Sequence, residues 1–103
     1  MIDGKWHVWA DTPLGRQESI LDLRCEENGI LRGTVLNIKT NETVELKKGR
    51  WEGEHFSFRA QIELPPLGKL AFVWEGDVNG DKVTGFNKVV MGKTPYQGER
   101  IKE

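Results

Sequence analysis

His55-Phe56-Ser57-Phe58-Arg59-Ala60-Gln61-Ile62-Glu63-Leu64 alternates without a fault. Phe56, Phe58, Ala60, Ile62 and Leu64 share one side of an extended chain, and His55, Ser57, Arg59, Gln61 and Glu63 share the other. A period of two marks a strand with one buried face, because successive side chains leave a pleated backbone on opposite sides. The same period recurs in Leu70, Phe72 and Trp74, continues through Gly76 to Val78, and opens the chain in Trp6, Val8 and Ala10. No apolar i, i+3, i+4, i+7 stripe survives more than a turn, so the sequence predicts no helix.

Working outward from these runs, turn residues cut the chain into about eight strand segments spaced ~8 to 14 residues apart, the rhythm of an all-β sandwich or barrel. The segments are Lys5–Asp11, Gln17–Cys25, Ile30–Leu36, Thr43–Trp51, His55–Leu64, Lys69–Val78, Lys82–Val90 and Tyr96–Ile101. Val44 and Leu46 share a parity that Trp51 does not, which predicts a β-bulge near Lys48 and Gly49. The expected architecture is all-β: one up-and-down antiparallel barrel of about eight strands over residues 1–103. A sandwich, or a shorter barrel of about six or seven strands, is the alternative if the segment around Trp51 pairs differently.

If consecutive strands are antiparallel neighbours, alternate loops gather at opposite ends. One end, the closed end, receives Glu26–Gly29, Glu52–Glu54 and Asn79-Gly80-Asp81. These are short polar turns, the last with an Asn-Gly pair suited to a tight hairpin. The opposite, open end collects Thr12-Pro13-Leu14-Gly15, Asn37–Glu42, Pro65-Pro66-Leu67-Gly68 and Met91-Gly92-Lys93-Thr94-Pro95. Its prolines are conformational punctuation, or else the loops form an apolar rim for a ligand or partner, since hydration ordinarily selects polar loop tips.

A chain of 103 residues matches the size of one domain. Lys and Arg (15) nearly balance Asp and Glu (16), leaving a formal charge of -1. No basic field is present to attract nucleic acid or an anionic membrane. Cys25 is the only cysteine, so no intrachain disulfide can form, and no apolar run approaches the ~20 residues of a membrane span. A reducing, cytoplasmic location is expected. Strand signals begin just after Met1 and end close to Glu103, as suits a domain cut from a longer chain.

Gly4-Lys5-Trp6 in the first strand, with Arg100 in the last, resembles the structural signature of the calycins, the superfamily of lipocalins, fatty-acid-binding proteins and avidins. The resemblance implies that the first and last strands are neighbours and that the Arg100 cation covers the Trp6 indole at the closed end. The whole chain also resembles a family of small bacterial domains of unknown function, lipocalin-like in shape. The matching residues are Asp3-Gly4-Lys5-Trp6, Asp11-Thr12-Pro13-Leu14-Gly15, Gly29-Ile30-Leu31-Arg32-Gly33, Phe56-Ser57-Phe58, Gly76-Asp77-Val78, Gly80-Asp81 and Pro95-Tyr96-Gln97-Gly98-Glu99-Arg100. Members stand alone or sit beside an oxidoreductase or amidohydrolase, which implies a protein partner or fused enzyme domain here. The family supplies no catalytic residue to carry over, and Trp51 and Trp74 are larger than its pattern at those positions.

Chemistry-bearing residues do not converge in the sequence. His7 and His55 fall on the outward parity of their strands, and one cysteine with two dispersed histidines does not make a metal site. Ser19 and Ser57 lie in no nucleophile motif, and Cys25 lacks the electropositive setting that activates a thiol. The expectation is no enzyme, no cofactor and no metal.

Inward parity gives Trp6, Trp51, Phe56, Phe58, Phe72, Trp74 and Tyr96, with Leu21, Leu23, Leu31, Val35, Val44, Leu46, Ile62, Leu70 and Val83. An eight-stranded barrel is just wide enough to be filled by its own side chains or to hold one small ligand, and so many aromatics favour filling. A cavity, if present, opens at the open end, with Phe58, Phe72 and Tyr96 as walls, Asn87 as polar anchor, and Pro13, Leu14, Pro66, Leu67 and Met91 at the rim. Trp9, Ile20 and Leu36 share outward parity and offer an apolar docking patch. Two functions follow. One is a non-enzymatic interaction module, monomer or homodimer, docking through its apolar outer face and loop rim. The other is a carrier or sensor of a small hydrophobic molecule bound inside the barrel.

Overall fold

Nine strands are present among the described residues: β1 (Gly4–Thr12), β2 (Gly15–Cys25), β3 (Ile30–Asn37), β4 (Glu42–Glu45), β5 (Lys47–Glu52), β6 (His55–Leu64), β7 (Gly68–Asn79), β8 (Lys82–Val89) and β9 (Gly92–Arg100). The structure is a computed structural model that describes residues 2–13, 15–64, 68–89 and 92–102, with 62–64 described by backbone alone. The described residues include no helix, and so none long and apolar enough to cross a membrane.

Neighbouring strands pair antiparallel in the order β2-β1-β9-β8-β7-β6-β5-β3, and a β2–β3 ladder closes this ring of eight strands. β4 pairs with the open-end half of β3, opposing Thr34–Asn37, while β5 opposes Ile30 and Leu31. The single segment expected over Thr43–Trp51 is therefore two strands, broken at Leu46, whose N–H still donates to the Gly33 carbonyl at 3.1 Å. The β5–β6 register slips between Lys47 and Arg50, with Lys48 at φ 53°, so the bulge lies where the parity change placed it. It lets both Leu46 and Trp51 pack toward the core.

The last strand begins at Gly92, whereas turn chemistry put its start at Tyr96. Proline normally ends a strand because it cannot donate to the ladder. Pro95 opposes Phe86 of β8, but on its other side β9 meets β1 only from Gln97 to Arg100. That free edge is where a strand tolerates proline.

The wall is narrow enough for glycines to matter where strands pass closely. Gly76 and Gly85 are direct partners on β7 and β8. A Cβ on Gly85 would meet the Glu75 carbonyl oxygen at 1.9 Å and the Gly76 Cα at 2.6 Å. A Cβ on Gly76 would lie 2.7 Å from the Tyr96 hydroxyl. Side chains at these positions would have to force neighbouring backbone and the Tyr96 hydroxyl aside.

The closed half of the interior is densely packed. Ile2, Trp6, Leu21, Leu31, Val35, Phe56 and Phe58 are all buried. Trp6 and Arg100 are direct partners across β1 and β9, and the guanidinium carbon lies 4.4 Å from the indole centroid. Arg100 also donates through Nη1 to the Asp3 carbonyl (2.6 Å) and through Nε to Asp81 Oδ1 (3.0 Å). Trp6 Nε1 donates to the Ile2 carbonyl at 2.8 Å, drawing Ile2 under the barrel as a plug. Ile2 precedes the first strand but shares the parity of Trp6, Val8 and Ala10, a signal that a segment starting at Lys5 leaves out.

Two predictions follow from this packing. Gly85→Ala should destabilise the fold by ~1–3 kcal/mol, lowering the melting temperature by several degrees; unchanged melting would mean the strands can part without cost. The second concerns acid. The hydrogen bond from Arg100, then that from Lys102, holds the Asp81 carboxyl below its ordinary range, and Lys82 does the same for Glu99. A carboxyl with a lowered folded pKa stabilises the fold above its unfolded pKa, and that contribution is lost as pH falls through the folded value. Melting temperature should therefore drop as pH is taken through and below about 4. Arg100→Met should lower stability at neutral pH and blunt that drop, and an unaltered acid limb would contradict the coupling.

Candidate functional site

The open half of the interior is built from smaller or more polar residues than the closed half. Along β1 the inward series Trp6, Val8, Ala10 and Thr12 loses bulk toward the open end, and along β2 Leu23 and Leu21 give way to Ser19 and Gln17. A cavity of about 430 Å³ results. Its described lining is Val8, Trp9, Ala10, Thr12, Pro13, Gln17, Ser19, Asn37, Phe72, Trp74, Asn87, Thr94 and Tyr96. The volume is toward the small end of ligand sites, roughly 300–1,000 Å³. The expectation of a filled interior thus holds for the closed half and gives way to a hollow in the open half.

An aromatic ladder supports the cavity. Phe56 stacks on Phe58 with ring centroids 6.0 Å apart, Phe58 on Trp74 at 5.5 Å, and Tyr96 tilts against Trp74 at 5.1 Å. The Tyr96 hydroxyl donates to the Glu75 carbonyl at 2.9 Å. Burial first, and then the nearby Glu75 and Asp77 carboxylates, pushes its phenol far above the ordinary range. Two residues of the lining each carry a buried polar atom with no partner, the indole Nε1 of Trp74 and Oδ1 of Asn87, and they oppose each other across β7 and β8. No residue of the described lining carries a charge at neutral pH.

Of the ligand-binding candidates read from sequence, Pro13, Phe72, Asn87 and Tyr96 line the cavity. Phe58 lies behind it, packed on Trp74. Leu14, Pro66, Leu67 and Met91 fall outside the described residues. Sequence reasoning passed over Gln17, Ser19, Asn37 and Thr94. A signal existed for the first two: they carry the inward parity of Leu21 and Leu23, where a filled barrel would place apolar groups.

Outside the barrel, a second hollow of about 590 Å³ runs over β7, β8 and β9, bordered by Trp9, Glu75, Asp77, Phe86, Pro95 and Gln97 among others. Phe86 is 37% exposed there, with the Lys93 ammonium 4.5 Å from its ring centroid. Trp9, Ala10 and Tyr96 border both hollows, because the β1–β9 ladder stops at the Trp9–Gln97 pair and leaves a seam in the wall. The proposed docking residues divide. Ile20 and Leu36 are direct partners and half-buried. Trp9 stands against His7, at 5.1 Å between rings, and under the Arg16 guanidinium at 6.0 Å.

The two histidines face outward, each against a carboxylate: His7 with Glu18 at 2.9 Å and His55 with Asp77 at 3.1 Å. Burial, with Asp3 and Glu26 nearby, raises the Cys25 thiol pKa, the opposite of activation. Among the described residues no group of three or more His, Cys, Asp and Glu is placed to hold a metal ion. No family model, curated protein or solved structure matches this chain.

The chain has one tyrosine, so its phenol can be titrated by ultraviolet absorbance without ambiguity. With its folded pKa raised, Tyr96 keeps its proton in the fold while the unfolded chain releases it near pH 10, so stability falls above about pH 10. Phenolate should appear only together with unfolding. Tyr96→Phe should cost about 0.5–1.5 kcal/mol at neutral pH and flatten the alkaline fall. Phenolate formed in a folded barrel near pH 10 would contradict the buried placement.

Proposed function

We propose that this protein is a carrier or sensor of a small hydrophobic molecule held in the open half of a calycin-like barrel, with no catalytic step of its own. One observation carries the reading: the 430 Å³ cavity walled by Ala10, Phe72, Trp74 and Tyr96 in the open half of the barrel. Burying apolar ligand surface there is favourable at roughly 25 cal/mol per Å² removed from water. The outward histidines and the unactivated thiol favour binding over catalysis. A cytoplasmic home and the calycin relationship belong to the same proposal, supported by the single free cysteine and by the Trp6–Arg100 pairing on the first and last strands.

The outer hollow supports a second reading, docking onto a protein partner, a linked enzyme domain or a second copy. Phe86, Pro95 and Trp9 give it apolar surface, and Glu75 and Asp77 give it charge.

The test is thermal unfolding of the purified protein with a panel of neutral and acidic small hydrophobic compounds, alongside its mass in solution. A ligand at 100 times its dissociation constant adds ~2.7 kcal/mol and should raise the midpoint by on the order of ten degrees. Ala10→Phe, which fills the cavity from an inward position, should abolish the shift while the barrel stays folded. No shift across the panel, or a shift that survives Ala10→Phe, would remove the carrier reading. A dimeric mass in that case would favour docking.

A further inference from the structure

The cavity has an unusual balance of polar groups for an apolar site. Trp74 is 3% exposed, and its indole N–H, a donor only, finds no acceptor. Asn87 Oδ1, an acceptor, is buried and finds no donor. Leaving a buried polar atom unpaired costs free energy, whereas exchanging it for an apolar group of similar shape is close to neutral or stabilising. An empty, purely structural barrel gains nothing from keeping both. The two residues oppose each other on β7 and β8 and line the same cavity, so the unpaired donor and acceptor belong to neighbouring wall residues, to be reached by a small turn of either side chain.

The charge of the occupant is constrained as well. No Lys, Arg, His, Asp or Glu belongs to the described lining. The Tyr96 hydroxyl is already committed to the Glu75 carbonyl, and burial keeps it protonated. A carboxylate or ammonium drawn into this space would be buried without a counter-charge, a heavy desolvation penalty. Polar side chains elsewhere in the lining, such as Gln17, Ser19 and Asn37, are neutral too.

Resting on the carrier reading, we infer that the ligand is a small neutral molecule carrying an acceptor and a donor side by side on an apolar ring system, of the lactam or cyclic amide class. Its carbonyl accepts from the Trp74 indole, and its N–H donates to the Asn87 side chain. Fatty acids and other carboxylates are rejected for want of a cation.

A matched series of bicyclic probes tests this: quinolin-2(1H)-one, its N-methyl derivative, naphthalene and 2-naphthoate, titrated against the intrinsic tryptophan fluorescence. Quinolin-2(1H)-one should bind roughly ten- to a hundredfold tighter than naphthalene, and the N-methyl derivative and naphthoate should lose that advantage. Asn87→Leu should cut quinolinone affinity by a similar factor, leave naphthalene unchanged, and hold or raise the melting temperature of the empty protein. Trp74→Phe provides the same comparison for the donor, with thermal unfolding checking that the barrel still forms. Naphthalene binding as tightly as quinolinone would overturn the inference and leave the carrier reading intact. Failure of every probe, naphthalene included, would overturn both. A lowered melting temperature in empty Asn87→Leu would also overturn the inference, because it would mean that the amide already has a structural partner.

Discussion

Closure of the sheet is the constraint on which the rest of the structure depends. Once β1 meets β9 and β2 meets β3, every strand must give alternate side chains to an interior whose width is set by strand number. The Trp6–Arg100 pair sits on the β1–β9 seam at the closed end, where the cation covers the indole face and reaches Asp3 and Asp81. Fixed there, the barrel has one space to fill, and the sizes of the inward residues decide where it is filled. Trp6, Phe56, Phe58, Leu21 and Leu31 occupy the closed half. Ala10, Ser19 and Gln17 cannot occupy the other half, and the hollow is the direct result.

Charge is kept away from the described lining of the cavity. Pairs such as Arg16 with Asp11 and Lys88 with Glu75 decorate exposed strand faces, where each contributes little to stability. The described lining of the cavity is neutral, and the buried phenol of Tyr96 stays protonated. The same segregation that makes the barrel stable determines what it can hold, because a charged guest would lose its hydration and meet no partner.

Much of the fold was legible in the sequence. The faultless alternation of His55–Leu64 becomes a strand paired along its full length with β7, and the parity change between Leu46 and Trp51 becomes a real slip in register. What escaped has identifiable causes. Pro95 reads as a terminator, and only the tertiary fact that the β1–β9 ladder ends at Trp9 and Gln97 explains why a strand runs through it. Ile2 precedes the first strand segment read from the turns, yet it is fully buried in the core and its carbonyl accepts from Trp6 Nε1. The cavity was harder to read, because counting inward aromatics says how much bulk is present but not at which level of the barrel it lies. Phe56, Phe58 and Trp74 stack into one column, and that clustering frees the space above Ala10 and Ser19.

The central claim is that the open half of this barrel is a binding space and not a poorly filled core. A crystal structure of the protein soaked with a brominated neutral bicyclic lactam, phased for the anomalous signal of bromine, tests it most directly. The account predicts an anomalous peak inside the barrel between Ala10, Phe72 and Tyr96, with the polar edge of the ligand toward Trp74 and Asn87. Side chains collapsed into that space, with bromine found only on the outer surface or nowhere, would contradict it.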